Sequence, residues 1–235
     1  MRYIILAAGK GTRLNPLTYN YPKCLYKLDD NTSVLQRMVY LIKNSDIEAE
    51  IIVIVGFMDK DVVDEIQGVH FIKNPFYEVT NSIASLWFIR EKLCEEIVII
   101  NGDIVTDEKL IRDIITKPTD RPAVLMDSSI KKDGDYNVQV SGDHVVIMSK
   151  EIKNYSGEYA GITKLDKKSA LLLKNEIEKM VSDGYYDQWY ENALVQLIFR
   201  NNFKLHYIDI SNYNWTEIDD VNDLVFAKKI HLKDD

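Results

Sequence analysis

Two cations and three carboxylates stand where chemistry on a polyphosphate would use them. Arg13 closes the string Leu6-Ala-Ala-Gly-Lys-Gly-Thr-Arg13, and Lys23 follows in Tyr21-Pro-Lys-Cys-Leu25. A flat guanidinium fork and a point-charge ammonium over one anion would grip a nucleoside triphosphate in two different ways. Asp103 ends the segment Asn101-Gly-Asp103, and Glu217-Ile-Asp219 carries two carboxylates on alternate residues, which an extended backbone turns to one face. Bare carboxylates repel a triphosphate, so acidic residues beside it make sense chiefly through a bridging Mg²⁺. Each has a structural alternative: Asp103 could cap a helix beginning near Asp107, and Asp219 could be an N-cap, a role that does not exclude metal contact.

The elements that must position these groups follow from the hydrophobic pattern. Tyr3-Ile-Ile-Leu6 is a continuous apolar run ending in small residues and two close glycines, the pattern of a buried parallel strand opening into a tight loop. Ligands of open α/β sheets bind at such carboxyl ends. Gly9 and Gly11 can adopt positive φ and bring backbone N–H groups close to phosphates, while Ala7 and Ala8 leave room for a flat ring. Helices are expected from Val34 to about Lys43 behind Ser33 as N-cap, from Asp59 as cap through Ile66, and from Thr80 or Asn81 onward. Strands are expected at Glu50–Val55, Val69–Ile72 and Ile97–Ile100. Alternation of this kind over the first 130 or so residues implies a Rossmann-like, doubly wound, mostly parallel sheet of the α/β class.

After Val124-Leu-Met126 the texture changes. Turn signals at Asp133-Gly-Asp135 and Ser141-Gly-Asp143 bracket the alternating strands Tyr136–Val140 and His144–Ser149, and Ser156–Leu165 follows; these would form a small antiparallel β lid. Helices over Asp166–Val181 and Asp187–Phe199, a strand over Phe203–Ile208, and a last helix capped by Asp219 or Asp220 with Val221, Leu224 and Val225 inward complete the chain. The expectation is one domain over residues 1–235, its first half (1–126) mainly nucleotide-binding and its second (127–235) mainly acceptor-binding.

Composition narrows the partners. The 235 residues suffice for a sizeable core, and 46% hydrophobic with 28% charged residues is ordinary for a globular chain. A formal net charge of −8 argues against nucleic acid or an anionic membrane as partner. Two cysteines, Cys24 and Cys94, make no disulfide framework. Cys24 beside Lys23 could carry an activated thiol or be a small buried side chain. With no leader-like segment and no apolar run of about 18 residues, a cytoplasmic location is expected.

The string Leu-Ala-Ala-Gly-x-Gly-Thr-Arg-Leu, then Pro16-Leu-Thr18, then Pro-Lys-x-Leu, resembles the signature of the nucleotidyltransferases that make NDP-sugars and CDP-alcohols. The resemblance covers nearly the whole chain, with no hexapeptide-repeat tail expected. It implies that Asp103, Asp219 and Glu217 hold Mg²⁺, and that Arg13 and Lys23 contact the phosphates. It also implies nucleotide contacts from Leu6, Ala7, Ala8, Gly9, Gly11, Thr12, Gly56, Thr80, Asn81 and Ser82. Catalysis would rest on Lys23, Arg13, Asp103 and Asp219.

The acceptor must be read from the second half, where Tyr155, Tyr159, Tyr185, Tyr186, Trp189, Tyr190 and Trp215 are interleaved with Asp187 and Glu191. Aromatic faces with carboxylates suit a cationic amine; the same rings could simply pack. Tyr136, Tyr159, Asp187, Trp189, Tyr190 and Glu191 are the candidate acceptor contacts. The Asp187–Asn192 segment looks most like the phosphocholine, phosphonoalkyl and phosphoglutamine cytidylyltransferases. That likeness implies CTP and a small phosphorylated acceptor, with a product for cell-surface polysaccharide. A sugar-1-phosphate nucleotidyltransferase and a nucleotide-binding regulatory module are the alternatives. A final helix with exposed apolar residues would permit a homodimer.

Overall fold

The structure, a computed structural model, describes residues 1–14, 19–130, 136–201 and 203–234, the side chains of Arg13 and Asn201 excepted. The Pro16-Leu-Thr18 motif and the Asp133-Gly-Asp135 turn lie outside the described residues. In chain order the elements are β1 (Arg2–Ala7), α1 (Val34–Ser45), β2 (Glu50–Val55), α2 (Asp59–Glu65), β3 (His70–Lys73), α3 (Ser82–Phe88), β4 (Ile97–Asn101), β5 (Ile104–Thr106) and α4 (Glu108–Leu110). They continue as β6 (Ala123–Asp127), β7 (Asn137–Ser141), β8 (His144–Ser149), β9 (Gly157–Leu165), α5 (Lys167–Ser182), α6 (Glu191–Asn201), β10 (His206–Asp209), β11 (Trp215–Glu217) and α7 (Val221–Asp234). Among the described residues no helix is long and apolar enough to cross a membrane.

These elements form two compact units assembled from interleaved stretches of chain. The first comprises Met1–Val79, Ile99–Lys117 and Tyr213–Asp235. Its strand order is β3-β2-β1-β4, with β1 parallel to β2 and β2 parallel to β3. The apolar runs of β1 and β2 are almost wholly buried, as strands covered on both faces must be. Ser33 caps α1 reciprocally: its Oγ accepts from Gln36 N and Gln36 Oε1 accepts from Ser33 N. Asp59 is the first residue of α2 and not its cap; Met58, with φ 48°, occupies the cap position. A separate two-stranded antiparallel sheet pairs β5 with β11, Ile104 opposite Glu217. Beneath it Val105 and Ile218 pack with Leu14, Tyr26, Leu28, Val34, Ala227 and Ile230. The helix α7 meets expectation only in part, since Leu224 packs against the core. Asp220 is its cap, accepting from Asn222 N and Asp223 N, and the buried side chains are Ala227, Ile230 and His231, leaving Val221 and Val225 exposed.

The second unit comprises Thr80–Val98 and Pro118–Asn212. Its strands run β9-β6-β10-β8-β7, and the order returns on itself because β7 also pairs with the start of β9. Within this unit β6 and β10 pair in parallel, while β10/β8, β6/β9, β7/β8 and β7/β9 pair antiparallel, so the fold is an α/β Rossmann-like one with a mixed sheet. The Ser141-Gly-Asp143 hairpin forms as expected, with Gly142 at φ 61°. Asp166 caps α5 by accepting from Lys168 N and Ser169 N. The helix expected from Asp187 begins only at Glu191. The carbonyls of Tyr186 and Gln188 instead accept from Asn81 N and Ile83 N at the start of α3, which holds this stretch out of helical geometry.

Candidate active site

Within the first unit, β1 delivers the chain into the loop that begins at Ala8. Gly11 supplies the positive φ, 62°, that lets Leu14 N return to Gly11 O (3.1 Å) and start the 3₁₀ turn Thr12–Leu14. Gly9 does not adopt positive φ; a Cβ there would meet nothing within 4 Å, so this residue faces open space. Ala7 and Ala8 are buried and Thr12 is exposed. Beside the loop Lys10 pairs with Glu78 (2.9 Å) and lies 5.7 Å over the Tyr77 ring. Gly56 follows β2, where Phe57 N donates to Ala8 O (3.1 Å). Arg13 has its backbone in the 3₁₀ turn; its side chain lies outside the described residues.

Gly102 donates its N–H to Leu6 O at 2.9 Å. A Cβ at this residue would fall 2.7 Å from the same oxygen, so only glycine lets the two backbones approach and carry Asp103 beside β1. Lys23 sits in a second 3₁₀ turn, Lys23–Leu25, with 10% of its side chain exposed. Its Nζ lies 2.7 Å from Asp103 Oδ2 and 2.6 Å from Asp219 Oδ1. Burial pulls the Lys23 ammonium pKa down, but the two aspartates more than offset this, and the net shift is upward. Lys23 is therefore a fixed cation.

The three acids converge by strand register. Ile218 N donates to Asp103 O (3.1 Å), and Ile218 is fully buried, which turns Glu217 and Asp219 to the opposite side. One carboxylate oxygen from each of Asp103, Glu217 and Asp219 lies within 4.8 Å of the others. The capping alternatives are taken by neighbours: Asp107 Oδ1 accepts from Leu110 N (2.9 Å), and Asp220 caps α7. Asp103 Oδ1 is buried with no hydrogen-bond partner. An orphaned buried acceptor beside two further hard oxygen donors fits a divalent cation such as Mg²⁺. Cys24 is inert by contrast, since burial pushes its thiol up to about 12.

The second unit holds the other candidate residues. Thr80, Asn81 and Ser82 lead into α3; Asn81 Oδ1 accepts from Ser82 N (2.8 Å), and Ser82 Oγ accepts from Tyr190 N (2.9 Å). The aromatic residues of the expected acceptor set are brought together only in part. The Tyr136 ring meets Tyr159 and Trp189 edge-on, at centroid distances of 6.2 and 6.1 Å, and its hydroxyl donates to Asn192 Oδ1 (2.9 Å). Tyr159 and Tyr190 are buried, their hydroxyls bonded to each other and to Thr163, so they brace the group from inside the core instead of facing a ligand. Asp187 is exposed and accepts from Gln188 Nε2. Tyr185 and Tyr186 are also exposed, and Trp215 belongs to the first unit.

Glu191 is 6% exposed, and its Oε2 is buried without a hydrogen-bond partner. Burial pushes its carboxyl up to about 7, against smaller opposing effects of a backbone hydrogen bond and Lys150. The tyrosine hydroxyls of Tyr136, Tyr159 and Tyr190 are raised by burial and by this carboxylate. Lys150 was not singled out by sequence reasoning. Its Nζ lies 4.4 Å from the Trp189 ring centroid, a contact that no local pattern announces.

Comparison with known proteins identifies the family and the fold. The chain is 27% identical to the choline-phosphate cytidylyltransferase of Streptococcus pneumoniae, over 95% of both chains. It is 26% identical to the CTP:phosphoglutamine cytidylyltransferase of Campylobacter jejuni, over 95% of this chain and 98% of the relative. A solved structure of the Streptococcus pneumoniae CTP:phosphocholine cytidylyltransferase superposes with a TM-score of 0.77 at 25% identity, covering 98% of each chain. With residues 3–168 matched by the family model, the chain belongs to the family of MobA-like NTP transferase domains.

Proposed function

We propose that this chain is a CTP cytidylyltransferase that joins CTP to a small phosphorylated or phosphonate acceptor and releases pyrophosphate. The observation that carries the reading is the convergence of Lys23, Asp103, Asp219 and Glu217 in the unit that holds the Gly9–Thr12 loop. The names of the two cytidylyltransferase relatives support CTP as the nucleotide and a small phosphorylated molecule as acceptor. Cytoplasmic action and a product used in cell-surface polysaccharide belong to the same reading.

In the proposed reaction an acceptor phosphate or phosphonate oxygen attacks the α-phosphorus of CTP in line. The new P–O bond forms as the bond to the β-phosphate oxygen breaks, and pyrophosphate leaves with the electron pair. The attacking oxygen is already an anion near neutral pH, so no general base is needed. The chain must instead bring anions together and hold the charge that builds on the leaving group. Lys23 supplies a fixed ammonium, with Arg13 assigned to the β- and γ-phosphates and the Gly9–Thr12 backbone to the remaining phosphate oxygens. Asp103, Asp219 and Glu217 would hold a Mg²⁺ ion, which when bound would supply Lewis-acid charge neutralisation.

A binding module without catalysis would not require Lys23 and three carboxylates together. The test is pyrophosphate release with CTP, UTP, dTTP and GTP, each crossed with phosphorylated amines, phosphonates and sugar 1-phosphates in Mg²⁺. Release with CTP and a small phosphorylated acceptor is expected. Release only with sugar 1-phosphates would replace the reading by an NDP-sugar synthase, and binding of CTP without release would favour a regulatory module.

A further inference from the structure

The second unit contains a buried carboxylate that the nucleotidyl-transfer chemistry does not use. Taking an acidic side chain out of water without a partner is costly, and Glu191 Oε2 is buried and unpartnered among the described residues. Native structures tolerate such a group mainly where something else completes it. Resting on the cytidylyltransferase reading, we infer that Glu191 and the Trp189 face bind the acceptor through an ammonium group bearing at least one N–H, and so select against a quaternary ammonium.

Three features carry this. First, an orphaned carboxylate oxygen asks for a hydrogen-bond donor as well as a positive charge, and a charge-assisted N–H···O bond supplies both; a trimethylammonium group can supply only charge. Second, a quaternary ammonium is held best by several open aromatic faces. Here Tyr159 and Tyr190 are locked into the core with their hydroxyls bonded to Thr163, Tyr136 is 8% exposed, and Trp189, at 39%, is the accessible ring of the four. Third, the chain places an N–H-bearing ammonium of its own on that ring: Lys150 Nζ, 4.4 Å from the Trp189 centroid, close enough to act on the Glu191 carboxyl. The acceptor class is therefore an aminoalkyl phosphate or phosphonate.

The experiment is a methylation series on one scaffold: phosphoethanolamine, its N-methyl and N,N-dimethyl forms, and phosphocholine, each with CTP and Mg²⁺. Pyrophosphate release gives kcat/KM, and quenching of tryptophan fluorescence gives binding without turnover. A site built to bond an N–H rejects the analogue lacking it by large factors. The expected result is a fall of roughly a hundredfold or more between the dimethyl compound and phosphocholine, much steeper than the earlier steps. In Glu191→Gln that last step should flatten to within about threefold, while KM for CTP stays unchanged. Phosphocholine equal to or better than the dimethyl compound in the unmodified protein overturns the inference without recourse to any variant. Turnover with inositol or sugar phosphates but with none of the amines also overturns it and leaves nucleotidyl transfer standing. No turnover with any acceptor defeats the cytidylyltransferase reading; the fluorescence series still decides whether the protein prefers N–H-bearing ammonium compounds.

Discussion

Each unit of the molecule has a carboxylate with one oxygen buried and unbonded, Asp103 in the first and Glu191 in the second. Their surroundings differ. Asp103 has a lysine at 2.7 Å on its other oxygen and two more carboxylates within reach. It is part of a charged cluster of one lysine and three carboxylates. Glu191 lies close enough to Tyr136, Tyr159 and Tyr190 to act on their hydroxyls, and the cation that acts on it is the exposed Lys150, whose ammonium rests on Trp189. The first arrangement suits a multiply charged anion with its metal, since charge is met by charge. The second suits a single organic cation, since one carboxylate stands beside aromatic side chains.

The contrast can be broken most severely at Lys23. Lys23→Ala should lower kcat by roughly 10²–10³-fold with the far-UV circular dichroism retained, because it removes a preorganised cation from the charge-bearing end of the reaction. Near-normal turnover would show that the cluster is structural. Asp103→Asn comes next: Mn²⁺ affinity, read by electron paramagnetic resonance without substrate, should fall by about tenfold or more, as one hard anionic ligand becomes a neutral amide. Unchanged Mn²⁺ binding would remove Asp103 from the metal site.

A third test separates the two carboxylates by pH. Glu191 is raised from an ordinary 4.5 to about 7 by burial, so between these values the folded chain holds a proton that the unfolded chain has released. Stability from this group is fully present below the lower value and is lost as pH rises through about 7, on the order of 3 kcal/mol in all. Glu191→Gln cannot titrate, so its stability relative to the parent should grow from about pH 5 to about pH 8, read from urea midpoints. A constant difference would mean that the carboxyl is not buried as described. The smallest effect is expected on α7: Val225→Lys, at a half-exposed position, should change stability by less than about 0.5 kcal/mol. A larger loss would indicate that a second copy covers this face.

The first unit was the more legible of the two. Its strands are long apolar runs, its loop is a chain of small residues with charges at fixed offsets, and Lys23, Asp103 and Asp219 each sit at the end of a recognisable element. For its buried strands β1 and β2 local pattern was enough, because a continuous apolar run has one way to bury itself. On α7 the expected inward stripe holds only at Leu224, which packs on the core, while the cap at Asp220 and the hydrogen bond between His231 and Asp29 (2.6 Å) leave Val221 and Val225 outside. In the second unit the start of α6 was misplaced by competition from distant chain, since Asn81 N and Ile83 N claim the carbonyls that a helix from Asp187 would have used. No reading of residues 187–192 alone could contain that. The Lys150–Trp189 contact was invisible for the same reason, and the interleaving of the two units is likewise a property of pairing across long separations.

The β5–β11 ribbon also constrains how this chain can vary. Because side chains alternate, slipping β11 by a single position would swing Ile218 into the acidic cluster and send Glu217 and Asp219 into the hydrophobic floor beneath. Insertions before Tyr213 or after α7 are harmless to this parity, while one extra residue between Trp215 and Asp219 inverts it. The five positions from Trp215 to Asp219 must therefore be inherited as a block.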